Sequence, residues 1–339
     1  MNFSLNMKKY CLILALAAMG CARAGDETYT QWVQGVNRES GWTDYNKADP
    51  DSQDGDNNLC WAAATSNVIN WWQNRYVTPD DAPKGEEIWN TFKESVNADI
   101  GGSNACAFQW WLTGQYVKDD TNGQYAYWRT NSAAINNGTI GQQSGFEGFY
   151  RDIALPANDK NIYPWNYELM QFVTFAPVNT GVIPDNVGFT VVEALRSGSA
   201  ATISLSNFQN SGHAITLWGV DYDADYNLLG LWLTDSDDAQ YGLNPEGLFH
   251  VDLQTENVTV TTSDGTTEQR EYLTFAGLES GDWYWKSDTF SNKTLFISRF
   301  EFFNTGVSDM WGLEKVPEPA TATLGLLALA GLAARRRRR

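Results

Sequence analysis

Two apolar segments separated by a short acidic turn constrain the fold of this chain more than any other feature. Residues 214–220 (AITLWGV) and 228–234 (LLGLWLT) have the length and the aromatic and β-branched content of strands, and DYDADYN between them is a turn sequence. His213 directly precedes the first strand, and Asp235 directly follows the second. An antiparallel hairpin would therefore return Asp235 to the level of His213, where a carboxylate can accept the imidazole N–H. The alternative is an aspartate that only caps the strand end.

The rest of the sequence divides into a helical first half and a strand-rich second half. Residues 25–58 are polar and predict a loop, and Cys60 then begins a run with apolar residues at helical spacing, with Asn57 and Asn58 as candidate caps. A short helix is predicted at 188–196. Seven strand-like segments follow, at residues 200–206, 214–220, 228–234, 247–253, 257–262, 271–277 and 295–303. This order predicts an α+β fold with two lobes.

Cys60 is the candidate nucleophile of this fold. The unpaired backbone N–H groups and the dipole at a helix N-terminus lower the pKa of a thiol, and a histidine from another lobe would complete an ion pair. His213 is the candidate base, because His250 lies within GLFHVDL, an alternating strand typical of a structural histidine. The alternative for Cys60 is a buried structural cysteine.

The cysteine count argues against a fold built on disulfides. Cys11 and Cys21 belong to the N-terminal leader, so that Cys60 and Cys106 are the two cysteines of the remaining chain. A single bridge between them would consume the thiol that the chemistry needs. We therefore predict two free thiols.

Both ends of the chain have the features of targeting segments. Residues 1–24 combine two lysines, an apolar run and Ala-Arg-Ala, which predicts a secretory signal peptide, with a lipoprotein modified at Cys21 as the alternative. Residues 316–339 combine Val-Pro-Glu-Pro, an apolar run and five arginines. This order resembles the PEP-CTERM sorting signal of Gram-negative bacteria. The resemblance implies transient membrane contact, processing by an exosortase, and delivery to the cell surface or the medium. A plain membrane anchor is the alternative.

The net charge of the remaining domain, residues 25–315, limits the kinds of partner that it can bind. The chain has 23 basic and 41 acidic side chains, of which eight and one lie in the end segments, leaving a formal charge near −25. Such a charge argues against nucleic acid and against anionic membrane surfaces. The acidic turn at 221–227 suggests Ca²⁺, but it lacks the spacing of an EF-hand loop, so that ordinary turn chemistry is favoured. We predict no metal and no cofactor.

Three blocks of sequence resemble a known family. GWTDYNK (residues 41–47), NNLCWAAATSNVINWW (57–72) and SGHAITLWGVDYDADYNLLGLWLTDSD (211–237) are similar to the IdeS/Mac family of secreted cysteine endopeptidases, whose known members cleave immunoglobulin G in the hinge region. The resemblance implies a papain-like fold, with the nucleophile on a helical N-terminal lobe and the base on an antiparallel β-rich C-terminal lobe.

The resemblance also implies a role for each site residue. Cys60 matches the nucleophile, His213 the base, Asp235 the triad aspartate, Asp237 a second supporting aspartate and Lys47 an oxyanion-hole lysine. The spacing from Lys47 to Cys60 is a few residues longer than in the family. Trp61 replaces a small residue, which predicts a different cleft floor. Residues 80–185 show no resemblance.

The sequence therefore predicts an exported cysteine endopeptidase that cleaves an extracellular protein, with immunoglobulin as one candidate substrate. Another acyl-transfer hydrolase, such as an amidase or a transglutaminase-like enzyme, could use the same triad. A non-catalytic surface adhesin is the alternative from a different class, since aromatic residues can stack on sugars. The many aromatic residues that could serve this purpose include Trp71, Trp110, Trp111 and Trp285.

Overall fold

The structure of the protein is a computed structural model. It describes residues 27–47, 56–95, 102, 104–113, 148–150, 170–174, 187–206, 212–237, 247–261, 265–276, 296–303 and 313–316. The predicted signal peptide, the sorting segment beyond Val316 and Trp285 lie outside the described residues. Among the residues that are described, no helix has the length and apolar character needed to cross a membrane.

The described part of the chain contains four helices and eight strands, which give an α+β fold as predicted. The helices are α1 (Cys60–Gln73), α2 (Glu86–Ser95), α3 (Asn104–Thr113) and α4 (Val187–Arg196). The strands are β1 (Tyr29–Trp32), β2 (Met170–Thr174), β3 (Ala200–Ser206), β4 (Gly212–Tyr222), β5 (Leu228–Thr234), β6 (Phe249–Thr261), β7 (Thr267–Phe275) and β8 (Phe296–Phe303).

All eight strands belong to one antiparallel sheet in which β4 is central. The order is β2-β8-β3-β4-β5-β6-β7, and β1 pairs with β4 alone. One edge of β4 pairs with β3 along residues 212–217 and with β1 along residues 219–222, while β5 lies on the other edge. Helix α1 packs against β3 and β4. The strand that carries His213 therefore lies directly against the helix that begins at Cys60.

Strand β1 corrects the prediction of a loop for residues 25–58. Its four residues are exposed or half-buried, so they show no apolar alternation. They form a strand because β4 offers a free edge beyond the end of β3. The ring of Trp32 also lies over Gly219, where a Cβ atom would be only 2.8 Å from Trp32 Cε3. This strand depends on tertiary pairing, which its own sequence does not reveal.

Strand β6 corrects a second prediction, since the segments 247–253 and 257–262 were expected to be separate strands. They form one continuous strand, and its polar middle pairs with β7 through Gln254 opposite Thr274 and Glu256 opposite Tyr272. The sheet curves far enough to bring the ring of Tyr272 within 4.6 Å of Phe296 on β8.

The core between the helices and the sheet is rich in aromatic rings. Trp72 on α1 packs against Tyr150 and Phe303, with centroids 4.7 and 5.1 Å away. Three of the tryptophans that an adhesin would use belong to this core, because Trp71, Trp110 and Trp111 are at most 2% exposed. They are not available to stack on a sugar at the surface.

Candidate active site

Cys60 is the first residue of α1, as predicted, and its thiol is free and half-buried. The predicted caps are wrong: the N-cap is Leu59, which makes no side-chain cap hydrogen bond, and the chain before it is closed by Leu59 N–H donating to Asp56 O at 2.9 Å. An apolar N-cap leaves the backbone N–H groups of the first turn without a capping side chain. Two of these groups, the N–H groups of Ala62 and Ala63, donate instead to Leu59 O, both at 2.9 Å. The positive end of the helix dipole at Cys60 favours a thiolate there.

His213 is the second residue of β4, and the hairpin brings two aspartates to it. Thr216 pairs with Thr234 across β4 and β5, so the chain after β5 returns to the level of His213 as predicted. The Nε2 atom of His213 lies 2.7 Å from Asp235 Oδ1, and Nδ1 lies 3.8 Å from Asp237 Oδ2. Asp235 occupies Nε2, and the His213 side chain also forms a hydrogen bond with Cys60 that helps lower the pKa of its thiol.

Asp235 is held by its own loop as well as by the histidine. It is completely buried, and the backbone N–H of Asp237 donates to Asp235 Oδ1 at 3.0 Å. The carbonyl oxygen of Ser236 accepts the backbone N–H of Lys47 at 2.8 Å. These two bonds fix the loop 235–237 to the segment that carries Lys47, so that the carboxylates have a defined orientation toward the imidazole ring.

Lys47 connects this loop to the chain that leads into the nucleophile. Its Nζ lies 2.5 Å from Asp237 Oδ1 and donates to the carbonyl oxygen of Asn57 at 2.8 Å. The side chain is only 7% exposed. The longer spacing between Lys47 and Cys60 therefore does not remove Lys47 from the site. Lys47 donates its backbone N–H to Ser236 O and its Nζ to Asn57 O. Both acceptors are backbone carbonyls, which any residue provides, so the sequence gives no sign of them.

The charges in this cluster favour a thiolate and an imidazolium. Burial alone would raise the pKa of the Cys60 thiol, but the charge and hydrogen bond of His213, followed by the charge of Lys47, bring that pKa below its ordinary value. Burial would lower the pKa of His213, yet Asp235, Asp237 and Cys60 hold it well above its ordinary value. These opposite shifts are what an activated cysteine and its proton donor require.

Three of these side chains are also of the types that bind metal ions. His213, Asp235 and Asp237 offer ligand atoms within 4.8 Å of one another. The Asp237 carboxylate, however, already pairs with the buried ammonium group of Lys47, and Asp235 accepts from the imidazole. A divalent ion would have to compete with the Lys47 ammonium group for Asp237 and would lie beside that positive charge. This donor set therefore fits acid–base chemistry better than metal binding.

Trp61 does not form an open cleft floor, although it follows the nucleophile. Its side chain is 2% exposed and packs beneath the chain at Gly102. A Cβ atom on Gly102 would lie 2.2 Å from Trp61 Cε2, so only glycine fits there. The large ring is thus accommodated in the core.

The second histidine contacts an aspartate and an aromatic ring, which fits the structural role predicted from the sequence. His250 Nε2 lies 2.9 Å from Asp221 Oδ2, and its ring packs on Trp232 with the centroids 4.6 Å apart. The neighbouring acidic turn is also closed by its own side chains, because Asp223 accepts the backbone N–H groups of Asp225 and Asn227 at 2.9 and 2.8 Å. Turn chemistry therefore explains these carboxylates.

Comparison with known families supports two of the resemblances predicted from the sequence. A family model described as Mac 1 matches residues 19–90, which include Lys47 and Cys60, and a model of the PEP-CTERM protein-sorting motif matches residues 315–339. His213, Asp235 and Asp237 lie outside the matched residues. No curated protein matches the chain. The two matches indicate an exported, cysteine peptidase-like protein of a Gram-negative bacterium, sorted to the surface and processed by an exosortase.

Proposed function

We propose that the protein is a cysteine endopeptidase with a papain-like, two-lobed fold that hydrolyses peptide bonds of an extracellular protein. The observation that carries the proposal is the convergence of Cys60, His213 and Asp235, with the thiol pKa lowered and the imidazole pKa raised. A helix start, a strand and a post-strand loop bring these groups together from distant parts of the sequence.

The proposed reaction begins with attack of the Cys60 thiolate on the carbonyl carbon of the scissile bond. The C–N bond breaks as the His213 imidazolium gives its proton to the leaving amine, which leaves a thioester on Cys60. Water then gives a proton to the neutral imidazole and attacks the thioester, which releases the acid product and restores the thiolate–imidazolium pair. Asp235 accepts the Nε2–H and keeps the ring in the orientation that both proton transfers need.

Lys47 and the Cys60 backbone N–H are the proposed donors to the oxyanion. An ammonium group has three N–H bonds, and two of them are directed at Asp237 Oδ1 and Asn57 O. Neither of these two bonds uses the third N–H, which is the proposed donor to the tetrahedral intermediate. Asp237 thereby supports the site by holding Lys47 in place and adding negative charge near His213.

Cleavage-site mapping tests this proposal. The purified protein is incubated with immunoglobulin G and, separately, with a mixture of other extracellular proteins, and the new termini are identified by mass spectrometry. We expect cleavage in extended, exposed segments and none with the Cys60→Ala variant. Cleavage of another protein while immunoglobulin G stays intact would reject that substrate and retain the peptidase.

The alternative acyl-transfer hydrolase predicts a different outcome of the same experiment. It would leave proteins uncut while hydrolysing a small amide, or joining an added amine to a glutamine side chain, in a reaction that Cys60→Ala abolishes. The adhesin has weaker support, because three of the tryptophans proposed to bind sugars, Trp71, Trp110 and Trp111, are buried in the core.

A further inference from the structure

The three catalytic segments of the proposed endopeptidase meet at one buried side chain away from the reacting atoms. We propose that Asn67 is a positioning residue that fixes α1, β4 and the Lys47 segment relative to one another. This inference rests on the proposed function, because the three segments carry Cys60, His213 and Lys47.

Asn67 uses both ends of its amide to join these segments. Its Nδ2 donates to Thr216 Oγ1 on β4 at 3.0 Å, and its Oδ1 accepts the backbone N–H of Tyr45 at 2.9 Å. Thr216 lies three residues after His213, and Tyr45 lies two residues before Lys47. Asn67 itself is on α1, about 10 Å along the helix axis from Cys60. A single side chain therefore joins the three segments that carry Cys60, His213 and Lys47.

Thr216 makes the connection to α1 complete. Its hydroxyl accepts from Asn67 and donates to the carbonyl oxygen of Ala64, 3.3 Å away and one turn earlier on the same helix. Asn67 is 1% exposed and Thr216 is fully buried, so solvent does not replace these bonds. A buried hydrogen-bond network with every member paired fixes a unique arrangement of the elements that it joins.

The chemistry at this position requires asparagine. The side chain must donate to a hydroxyl and accept from a backbone N–H at the same time, and a primary amide does both. Leucine has a similar volume but neither donates nor accepts. Because Asn67 is buried below the site, it cannot contact substrate. Its loss should act through the Cys60–His213 distance, and therefore on thiol reactivity and kcat more than on KM.

Two neighbouring residues on α1 provide matched controls. Asn70 lies one turn further along α1 and donates to Thr43 Oγ1 at 2.9 Å. It therefore contacts the segment that leads to Lys47, as Asn67 does, but it makes that contact through the Thr43 side chain. Thr65 is fully buried like Thr216, yet its hydroxyl has no hydrogen-bond partner within the described part of the chain. Asn70→Ala removes a side-chain amide and Thr65→Val removes a buried hydroxyl, so each repeats the loss of one polar group while leaving the link between α1 and β4 intact.

The experiment measures the alkylation rate of Cys60 by iodoacetamide across pH, read on the Cys60 peptide by mass spectrometry, together with kcat and KM of the full chain. We expect Asn67→Leu and Thr216→Val to raise the midpoint of thiol titration by about one unit and to slow alkylation about 10-fold below neutral pH. We expect kcat to fall by about 10- to 100-fold with KM nearly unchanged. Thr216→Ser, Asn70→Ala and Thr65→Val should behave like the wild type.

A wild-type titration midpoint in folded Asn67→Leu would overturn the inference. If that variant does not fold, the pair Thr216→Val and Thr216→Ser decides, because both keep Asn67 and differ in the hydroxyl. Equal midpoints for this pair would also overturn it. A failure of the proposed function has a different signature. Wild-type Cys60 would then titrate as an ordinary thiol before any substitution, or proteins would stay uncut while the thiol remains activated.

Discussion

Two histidine–aspartate pairs lie in the same sheet, and only one of them has the surroundings of an active site. His213 Nε2 is 2.7 Å from Asp235 Oδ1, and His250 Nε2 is 2.9 Å from Asp221 Oδ2. The distances are nearly equal. The comparison teaches that a close carboxylate does not by itself make an imidazole a catalytic base.

The difference lies in what packs around each pair. His213 is at the end of β4 that faces the start of α1, so it meets a free thiol and, through Asp237, a buried lysine. Asp221 is at the other end of β4, where β1 covers it and Thr30 Oγ1 donates to its Oδ1 at 2.6 Å. There the ring of His250 packs on Trp232, whose other contacts include the exposed guanidinium of Arg38 at 4.4 Å.

The largest expected effect separates the two histidines. Cys60→Ala should abolish turnover, and His213→Ala should lower kcat by about 10⁴-fold or more, because the remaining groups only bind and polarise the substrate. His250→Ala is the matched control and should retain wild-type kcat, since no thiol lies beside it among the residues that the structure describes. Steady-state kinetics on the mapped cleavage site measure all three.

Either of two results would break this comparison. Wild-type turnover by the Cys60→Ala protein would reject the mechanism as a whole. Equal loss of kcat in the two histidine variants, both folded, would show that the surroundings of His213 do not distinguish it from His250.

The two aspartates should differ in the same way. Asp235→Asn presents an amide to the imidazole and disturbs its tautomer, so we expect kcat to fall by about 10³- to 10⁴-fold. Asp221→Asn should cost about 1–3 kcal/mol of unfolding free energy while kcat stays unchanged, because the amide that replaces Oδ2 cannot accept from His250. The bonds from Thr30 and Trp232 to Oδ1 also lose the charge that strengthens them. Chemical denaturation and kinetics on both variants measure the contrast. An unchanged unfolding free energy with a lowered kcat in Asp221→Asn would show that the far end of β4 affects catalysis, contrary to this prediction.

Lys47→Ala should have a smaller effect than loss of the base. It removes one proposed oxyanion donor and leaves the nucleophile, so kcat should fall by about 10²- to 10³-fold. Cys60 should still be alkylated, whereas in His213→Ala alkylation should be slow near neutral pH because the thiolate has lost its cationic partner. A Lys47→Ala enzyme with unchanged kcat would remove the oxyanion role and leave the rest of the mechanism intact.

The smallest effect is expected at the C-terminus, where neither histidine pair is touched. Val316 N–H donates to Arg75 O, and Val77 N–H donates to Glu314 O, both at 2.8 Å, so residues 313–316 are tied to the chain after α1. Removing residues 317–339 should leave stability and kcat unchanged. Removing 313–339 should lower the unfolding free energy by about 1–3 kcal/mol for the two lost bonds. A loss of cooperative unfolding after the shorter deletion would show that the sorting segment belongs to the fold.

Much of the candidate site is predictable from the sequence because its residues follow strong local patterns. Cys60 opens a helical run, and His213 and Asp235 flank two apolar strands of matching length, so that an antiparallel hairpin must bring them together. The choice of His213 over His250 also follows from pattern, since only His250 lies inside an alternating strand. Lys47 is predictable through the family resemblance alone, because a lysine in a polar segment carries no sign of burial.

The remaining features depend on contacts that distant residues make. Leu59 is the N-cap because Asp56 O closes the turn before α1, whereas the adjacent asparagines are the better caps by propensity. Asn67 stands in the middle of a helix, and its role exists only because Thr216 and Tyr45 arrive beside it. Strand β1 needs the open edge of β4. Such pairings are properties of the assembled fold.

The shifted pKa values set the pH range in which the ion pair exists. The pKa of Cys60 is lowered in the folded protein, so the stability that the thiolate contributes is fully present above the unfolded pKa and is lost as pH falls through the folded value. The pKa of His213 is raised, so its contribution is fully present below the unfolded pKa and is lost as pH rises through the folded value. Activity should therefore decline on the acid side as Cys60 gains a proton and on the alkaline side as His213 loses one.

The pH dependence of Cys60 alkylation tests the thiolate–imidazolium pair most directly. In the wild type, the account predicts a midpoint of thiol titration below the ordinary cysteine pKa of about 8.5. His213→Ala should move the midpoint back toward that value, while His250→Ala leaves it in place. A wild-type midpoint at the ordinary value, unchanged in His213→Ala, would contradict the account.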